Sequence, residues 1–202
     1  SMRGWLMATL AGIDFQEVLK EPDDPDARAE ILLLSPSILV PCLTLDGVKV
    51  WDTLAIGEFL NEIAPESGLL PGDRVQRAHC RSICGEMHSG FVALRSALPM
   101  NIKAHFPRFK IWSKAQADIE RVIAIWRECL TTYGGPYLFG ERFCIADAMY
   151  APVVTRFMTY DVSLDPICAK YSQHVLTHPA VVTWVERAKL EVSEIQELEV
   201  EF

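Results

Sequence analysis

The sequence predicts an α/β plus all-α protein, with a small mixed unit over 1–66 and a larger helical unit over 74–202. Three observations carry this. Asp46-Gly47 lies between the strand-like runs Cys42–Leu45 and Val48–Val50. Asp-Gly in that setting signals a hairpin, because glycine accepts positive φ without steric cost. Beyond the turn-rich stretch Pro65–Asp73 (PESGLLPGD), which reads as a linker, apolar residues recur at helical spacing to the end of the chain.

The elements follow in order. Arg3–Ala11 reads as a helix stopped by Gly12 at a C-cap. Ile13–Leu19 reads as a strand, with Phe15 and Val18 in its apolar pattern. Glu21–Asp26 is a Pro/Asp loop, and Ala27–Leu34 a short helix. Val40-Pro41 leads into the hairpin. Trp51-Asp52-Thr53 then hands over to a helix with Ile56, Phe59, Leu60 and Ile63 at i, i+3, i+4, i+7. Asp52 and Thr53 are N-cap types at its mouth.

In the second half, Cys80, Ile83, Cys84, Met87, His88, Phe91 and Leu94 form one unbroken helical stripe. Ile119, Val122, Ile123, Trp126, Cys129, Leu130 and Tyr133 form another, stopped by Gly134-Gly135-Pro136. A third helix runs from Ile145 to about Tyr160. Two more are expected over Pro166–Leu176 and Pro179–Val192.

Composition bounds the function. The 202 residues are 50% apolar and 23% charged, an ordinary globular balance. The net charge of −8 and the lack of a Lys/Arg-rich run argue against nucleic acid as a partner. The acidic end, EVSEIQELEVEF, reads as a solvated tail. No apolar run is long enough for a membrane span, and no leader is visible. The six cysteines Cys42, Cys80, Cys84, Cys129, Cys144 and Cys168 contain no CxxC pair. Most sit in apolar surroundings and read as small core residues. Cys80 and Cys84 share a helix face but lack partners for a zinc site, so no metal is expected. A reducing, cytoplasmic compartment is the simplest expectation.

The order Val-Pro, strand, Asp-Gly turn, strand, capped helix resembles the second half of the thioredoxin-like domain of cytosolic glutathione transferases. PYLFGERFCIADAMYAPVV resembles the buried capping segment of that family's all-helical domain. EMHSGFVALRSALPMN resembles the first helix of that domain in a bacterial, serine-type, zeta-like branch. The likeness covers nearly the whole chain. It implies a thioredoxin-like N-terminal domain followed by an all-helical glutathione-transferase C-terminal domain. It also implies a homodimer, and glutathione as co-substrate with a small electrophile.

The resemblance assigns residues. Val40 before a cis Pro41 would turn its backbone to the glutathione peptide. Asp52 and Thr53 would receive the γ-glutamyl end, Asp52 accepting from its ammonium and Thr53 donating to its carboxylate at a helix N-terminus. Asp147 would fix the core helix through a capping box, with Cys144 where Ser or Thr is usual. The family's first strand and its activating Ser, Tyr or Cys are expected upstream of Ser1. Ser1-Met2-Arg3 matches the tail of the serine-type motif, with Ser1 as a helix cap. Thiolate formation, favoured by a hydroxyl donor and a helix N-terminus, then sets up attack on an electrophilic carbon.

His88, Arg95 and Arg156 are the candidate second-substrate residues. His88 falls on an apolar stripe, where a core histidine bonded to a carbonyl is the competing reading. Arg95, seven residues on, is expected to share its face. Two arginines would suit an acidic substrate, as in the maleylacetoacetate isomerase branch. Ile38-Leu39 replaces the Gly-Lys common before Val-Pro, and Asp52-Thr53 replaces the commoner Glu-Ser. Both changes are expected to weaken glutathione affinity. The alternatives to a transferase are an isomerase of the maleylacetoacetate type and a non-catalytic interaction module on the same fold. A reductase using Cys42 is disfavoured, because that thiol follows the proline instead of opening a helix.

Overall fold

The structure, a computed structural model, describes residues 1–19 and 40–191. The loop and short helix expected over 21–34, Ile38-Leu39 and the acidic tail lie outside the described residues.

Helix α1 spans Met2–Leu10, and Gly12 follows it at φ 67°. Ser1 occupies the N-cap position, but its side chain makes no cap bond. Strands β1 (Cys42–Leu45) and β2 (Val48–Trp51) pair antiparallel, Leu45 opposite Val48 and Cys42 opposite Trp51. Asp46 and Gly47 both turn at positive φ, as a two-residue hairpin demands. Helix α2 follows over Thr53–Ile63. Then come α3 (Arg74–Ser89), α4 (Val92–Ala97), α5 (Ser113–Tyr133), α6 (Ile145–Thr159), α7 (Pro166–Thr177) and α8 (Pro179–Lys189). Asp73 and Asp165 cap α3 and α7 by accepting two backbone N–H groups each. Pro166 and Pro179 stand at first helical positions, where no N–H is needed.

Three expectations change. Ile13–Leu19 is not a strand. Ile13 and Phe15 do turn inward while Asp14 and Gln16 face solvent, but the described residues offer no ladder partner. The segment is held by side chains instead: Glu17 accepts from Trp5 Nε1 at 2.8 Å and from both Arg187 Nη atoms at 2.6 and 3.0 Å. Second, the Cys80–Leu94 stripe is two helices. The chain breaks at Gly90 and at Phe91, which takes φ 57°. Asp118 of α5 then accepts from Leu94 N at 2.9 Å. Phe91 and Leu94 stay buried across the break, so the apolar pattern continues although the helix does not. Third, 65–73 is packed: Leu69 and Leu70 are buried, and Asn61 Oδ1 accepts from Leu70 N.

The core runs without interruption from α1 to α8. Helix α6 lies at its centre, packed on α1, α3 and α7. Trp126 of α5 is fully buried between Tyr150, Phe157 and Tyr171. Five of the six free cysteines are buried, as core residues should be. Gly57 lets α2 close onto this core, because a Cβ there would stand 2.2 Å from Ile145 Cδ1 and 2.9 Å from Met7 Sδ.

Candidate active site

The site starts at the Val40-Pro41 peptide, which is cis. Val40 is exposed, and the Pro41 ring lies against α1 at Gly4, where a Cβ would stand 2.8 Å from Pro41 Cγ. A larger residue at Gly4 would push the proline away. The hairpin then carries the chain to Asp52, which adopts φ 73° and caps α2. Its Oδ1 accepts from Leu54 N at 2.8 Å and from Ala55 N at 3.4 Å. Asp52 Oδ2 accepts from His88 Nε2 at 2.9 Å. Thr53 is the first helical residue, half-buried, with no hydrogen-bond partner for its hydroxyl among the described residues. Asp52 and Thr53 thus present a carboxylate and a hydroxyl at a helix N-terminus, a setting that suits a zwitterionic amino-acid end.

His88 sits in the last turn of α3 with its side chain 39% exposed, which makes it neither a core histidine nor a carbonyl-bonded one. It belongs to the Asp52 side of the site. Arg95 does not share its face, since the break at Gly90 puts Arg95 on α4.

Arg95 instead joins Arg156, and both join Arg3, which the sequence reading did not single out. Arg3 Nε donates to Met149 O at 2.8 Å, and Arg156 Nε donates to Leu98 O at 2.7 Å. Burial, with Arg95 adding repulsion, holds Arg156 down at about 10. Burial, with Arg95 and Arg156 adding, holds Arg3 there too. Among the described residues no carboxylate forms an ion pair with any of the three. The signal for Arg3 was its place in Ser1-Met2-Arg3, the motif read only for its serine.

A charge pattern also escaped notice. Between Glu86 and Asp118 the chain carries Arg95, Lys103, Arg108, Lys110 and Lys114 and no acid, although the whole chain is at −8. The four cations beyond Arg95 are exposed on the stretch from 103 to 114. Its loop is pinned to the end of α6, where Phe106 N donates to Thr159 O at 2.7 Å and Thr159 Oγ1 to Asn101 O at 2.8 Å. Arg95 is exposed like those cations, and the half-buried Arg3 and Arg156 lie at the root of this basic surface.

Behind the site, Asp147 of α6 is fully buried. It accepts from Cys144 N at 2.9 Å and from Leu138 N at 3.1 Å. Burial pushes its carboxyl up to about 6, against the pull of those two bonds. Two cavities of about 200 and 210 Å³ flank Leu70, lined partly by Arg142 and Cys144 in one and by Leu54 and Cys84 in the other. Neither is lined by Val40, Asp52, Arg3, Arg95 or Arg156.

This fold is that of a glutathione-transferase-type protein, and the family comparison agrees. Residues 1–63 match the glutathione S-transferase N-terminal domain and residues 84–187 the C-terminal domain, so the chain belongs to the glutathione S-transferase family. Among its relatives, the maleylacetoacetate isomerase of Rattus norvegicus is 29% identical, over 82% of this chain and 77% of that protein. A glutathione S-transferase of Dianthus caryophyllus is 28% identical, over 74% of this chain and 69% of its own length. In fold, the chain is similar to a glutathione transferase homologue from Burkholderia solved with bound glutathione. The TM-score is 0.69 at 23% identity, covering 94% and 91% of the two chains.

Proposed function

We propose that this chain is a glutathione-dependent enzyme that brings the glutathione thiolate to a small electrophile carrying an acidic group. The observation that supports it most is the Asp52 carboxylate. It caps α2 through Oδ1, and its second oxygen faces His88 beside the Thr53 hydroxyl, which has no partner among the described residues. In this reading Asp52 accepts from the γ-glutamyl ammonium and Thr53 donates to the neighbouring carboxylate. The backbone at Val40 pairs with the peptide of glutathione. The thiolate then forms a bond to the electrophilic carbon, and the leaving group departs with the electron pair. Arg95 and Arg156, with Arg3, take the acidic group of the second substrate.

The three arginines, with no carboxylate ion pair among the described residues, also support the isomerase of the maleylacetoacetate type, the name several relatives carry. There the thiolate adds to a cis double bond, the new single bond rotates, and elimination returns the thiolate. One assay separates the two chemistries. Conjugation consumes one thiol per turnover, whereas isomerisation leaves the thiol count constant while substrate absorbance changes.

The test of the site itself is calorimetric titration of glutathione into the full chain. Binding in the micromolar to low-millimolar range, weakened in Asp52→Asn, supports the reading. A folded protein that takes up no glutathione favours the interaction module instead. Arg95→Gln and Arg156→Gln are expected to raise KM for acidic electrophiles about tenfold or more, one charged hydrogen bond's worth, and to spare neutral ones. Equal effects on both substrates would count against the arginine assignment. The further expectations are a cytoplasmic homodimer and no partnership with membranes or nucleic acid. Exposed Val48, Trp51, Ile63 and Val75 along β2, α2 and α3 offer apolar surface for a second copy. No helix among the described residues is long and apolar enough to cross a membrane. Light scattering of the purified chain reads the dimer directly.

A further inference from the structure

We infer that His88 is a positioning residue for glutathione: it fixes the direction in which Asp52 Oδ2 meets the ligand's ammonium. The inference rests on the reading that Asp52 receives that ammonium, and it moves His88 from the electrophile to the other substrate.

The geometry begins with α2 and α3, which are tied by two side-chain struts. Arg81 Nε and Nη2 donate to the two Glu58 oxygens, both at 2.7 Å. Seven residues further along α3, on the same face, His88 Nε2 donates to Asp52 Oδ2 at 2.9 Å. Residues 81 and 88 on α3 thus meet 58 and 52 on the other side, so the two helices run in opposite senses across the struts. The Arg81–Glu58 fork, two parallel charge-assisted bonds, sets the spacing. His88 then holds one oxygen at the mouth of the site.

That oxygen needs holding. The cap bonds from Leu54 N and Ala55 N both go to Oδ1, so they fix that atom and leave the tilt of the carboxylate plane to whatever Oδ2 meets. His88 supplies that second anchor. Both side chains are about two-fifths solvent-exposed, at 39% and 43%. An exposed pair is screened and contributes little to stability. Its consequence lies in orientation, and a hydrogen-bond donor suffices for that.

The experiment measures glutathione affinity by calorimetry, and KM for each substrate, in wild type, His88→Ala, His88→Gln and Asp52→Asn. The ligands are glutathione and its analogue lacking the γ-glutamyl amine. His88→Ala is expected to weaken glutathione about fivefold, one ordinary hydrogen bond's worth, with KM for the electrophile unchanged. His88→Gln, whose amide N–H reaches the same oxygen, is expected to restore most of that loss. The analogue should be insensitive to all three changes. If Asp52→Asn weakens glutathione while His88→Ala does not, the positioning role is overturned and the pocket reading stands. An effect of His88→Ala confined to kcat or to the electrophile's KM overturns it as well. If Asp52→Asn leaves glutathione affinity intact, the pocket reading itself falls, and the inference with it.

Discussion

Asp147 and Asp52 both stand at the start of a helix and both accept backbone N–H groups, yet one is fully buried and the other open to solvent. Asp147 takes one bond on each oxygen, from Leu138 N and Cys144 N, and joins the loop before α6 to the helix itself. Asp52 puts both its backbone bonds on one oxygen and gives the other to a histidine at the rim. The same residue type therefore serves the fold in one place and, in the function proposed above, a ligand in the other. What separates them is which oxygen remains in reach of solvent.

The largest expected effect falls on the buried acid. Asp147→Ala leaves two buried N–H donors without a partner, at about 1–3 kcal/mol each, so the variant should lose about 2–6 kcal/mol in urea unfolding. A loss no larger than that of a surface cap would break the distinction between the two aspartates.

The pH dependence of the same group sharpens it. The folded carboxyl sits at about 6, above the ~3.9 of an unfolded chain, so the native state binds the extra proton between those values. That contribution is fully present below about pH 4 and is lost as the pH rises through 6. Compared with Asp147→Asn, which does not titrate, wild type should give up roughly 2 kcal/mol of relative stability from pH 4 to 7. Parallel pH profiles for the two proteins would show that burial does not raise the carboxyl.

Two glycines extend the contrast from acids to packing. Gly57 faces the core at Ile145 and Met7, and Gly4 faces Pro41 at the site. Gly57→Ala should destabilise by about 1–3 kcal/mol through overpacking, with little change in glutathione affinity once folded. Gly4→Ala gains about 1 kcal/mol of helix propensity, which offsets part of its clash. It should show itself by displacing Val40-Pro41 and weakening glutathione. Thermal melts beside calorimetry read both, and a swapped pattern would reverse the assignment of the two faces.

How much was legible follows the same division between local and distant. The hairpin at Asp46-Gly47, the Asp52 cap and the Asp147 box were readable because each is decided within a few residues. Ile13–Leu19 was not, because a strand needs a neighbour and its own alternation cannot supply one. The break at Gly90 hid because Phe91 and Leu94 keep the helical burial pattern across it. The register that sets Cys42 opposite Trp51 puts Val40-Pro41 and Asp52-Thr53 at the same end of the hairpin, but the His88–Asp52 bond and the Arg3–Arg95–Arg156 group join distant elements. No spacing within one element encodes them, although the acid-free stretch from 87 to 117 was in plain view.

The smallest stability effect is expected at Asp52. Its cap bonds lie at an exposed helix end, where losing such a cap costs about 0.5–2 kcal/mol, and its pairing with His88 adds little in solvent. Asp52→Ala should therefore melt close to wild type, several-fold less perturbed than Asp147→Ala, while losing most of its glutathione binding. Side-by-side melts and titrations of the two alanine variants give a two-by-two outcome. Asp147→Ala should fail on stability, and Asp52→Ala should fail on binding while staying folded. If Asp52→Ala melts as early as Asp147→Ala, the exposed carboxylate is holding the hairpin to α2, and its loss of binding would report unfolding of the site and not the absence of a ligand contact.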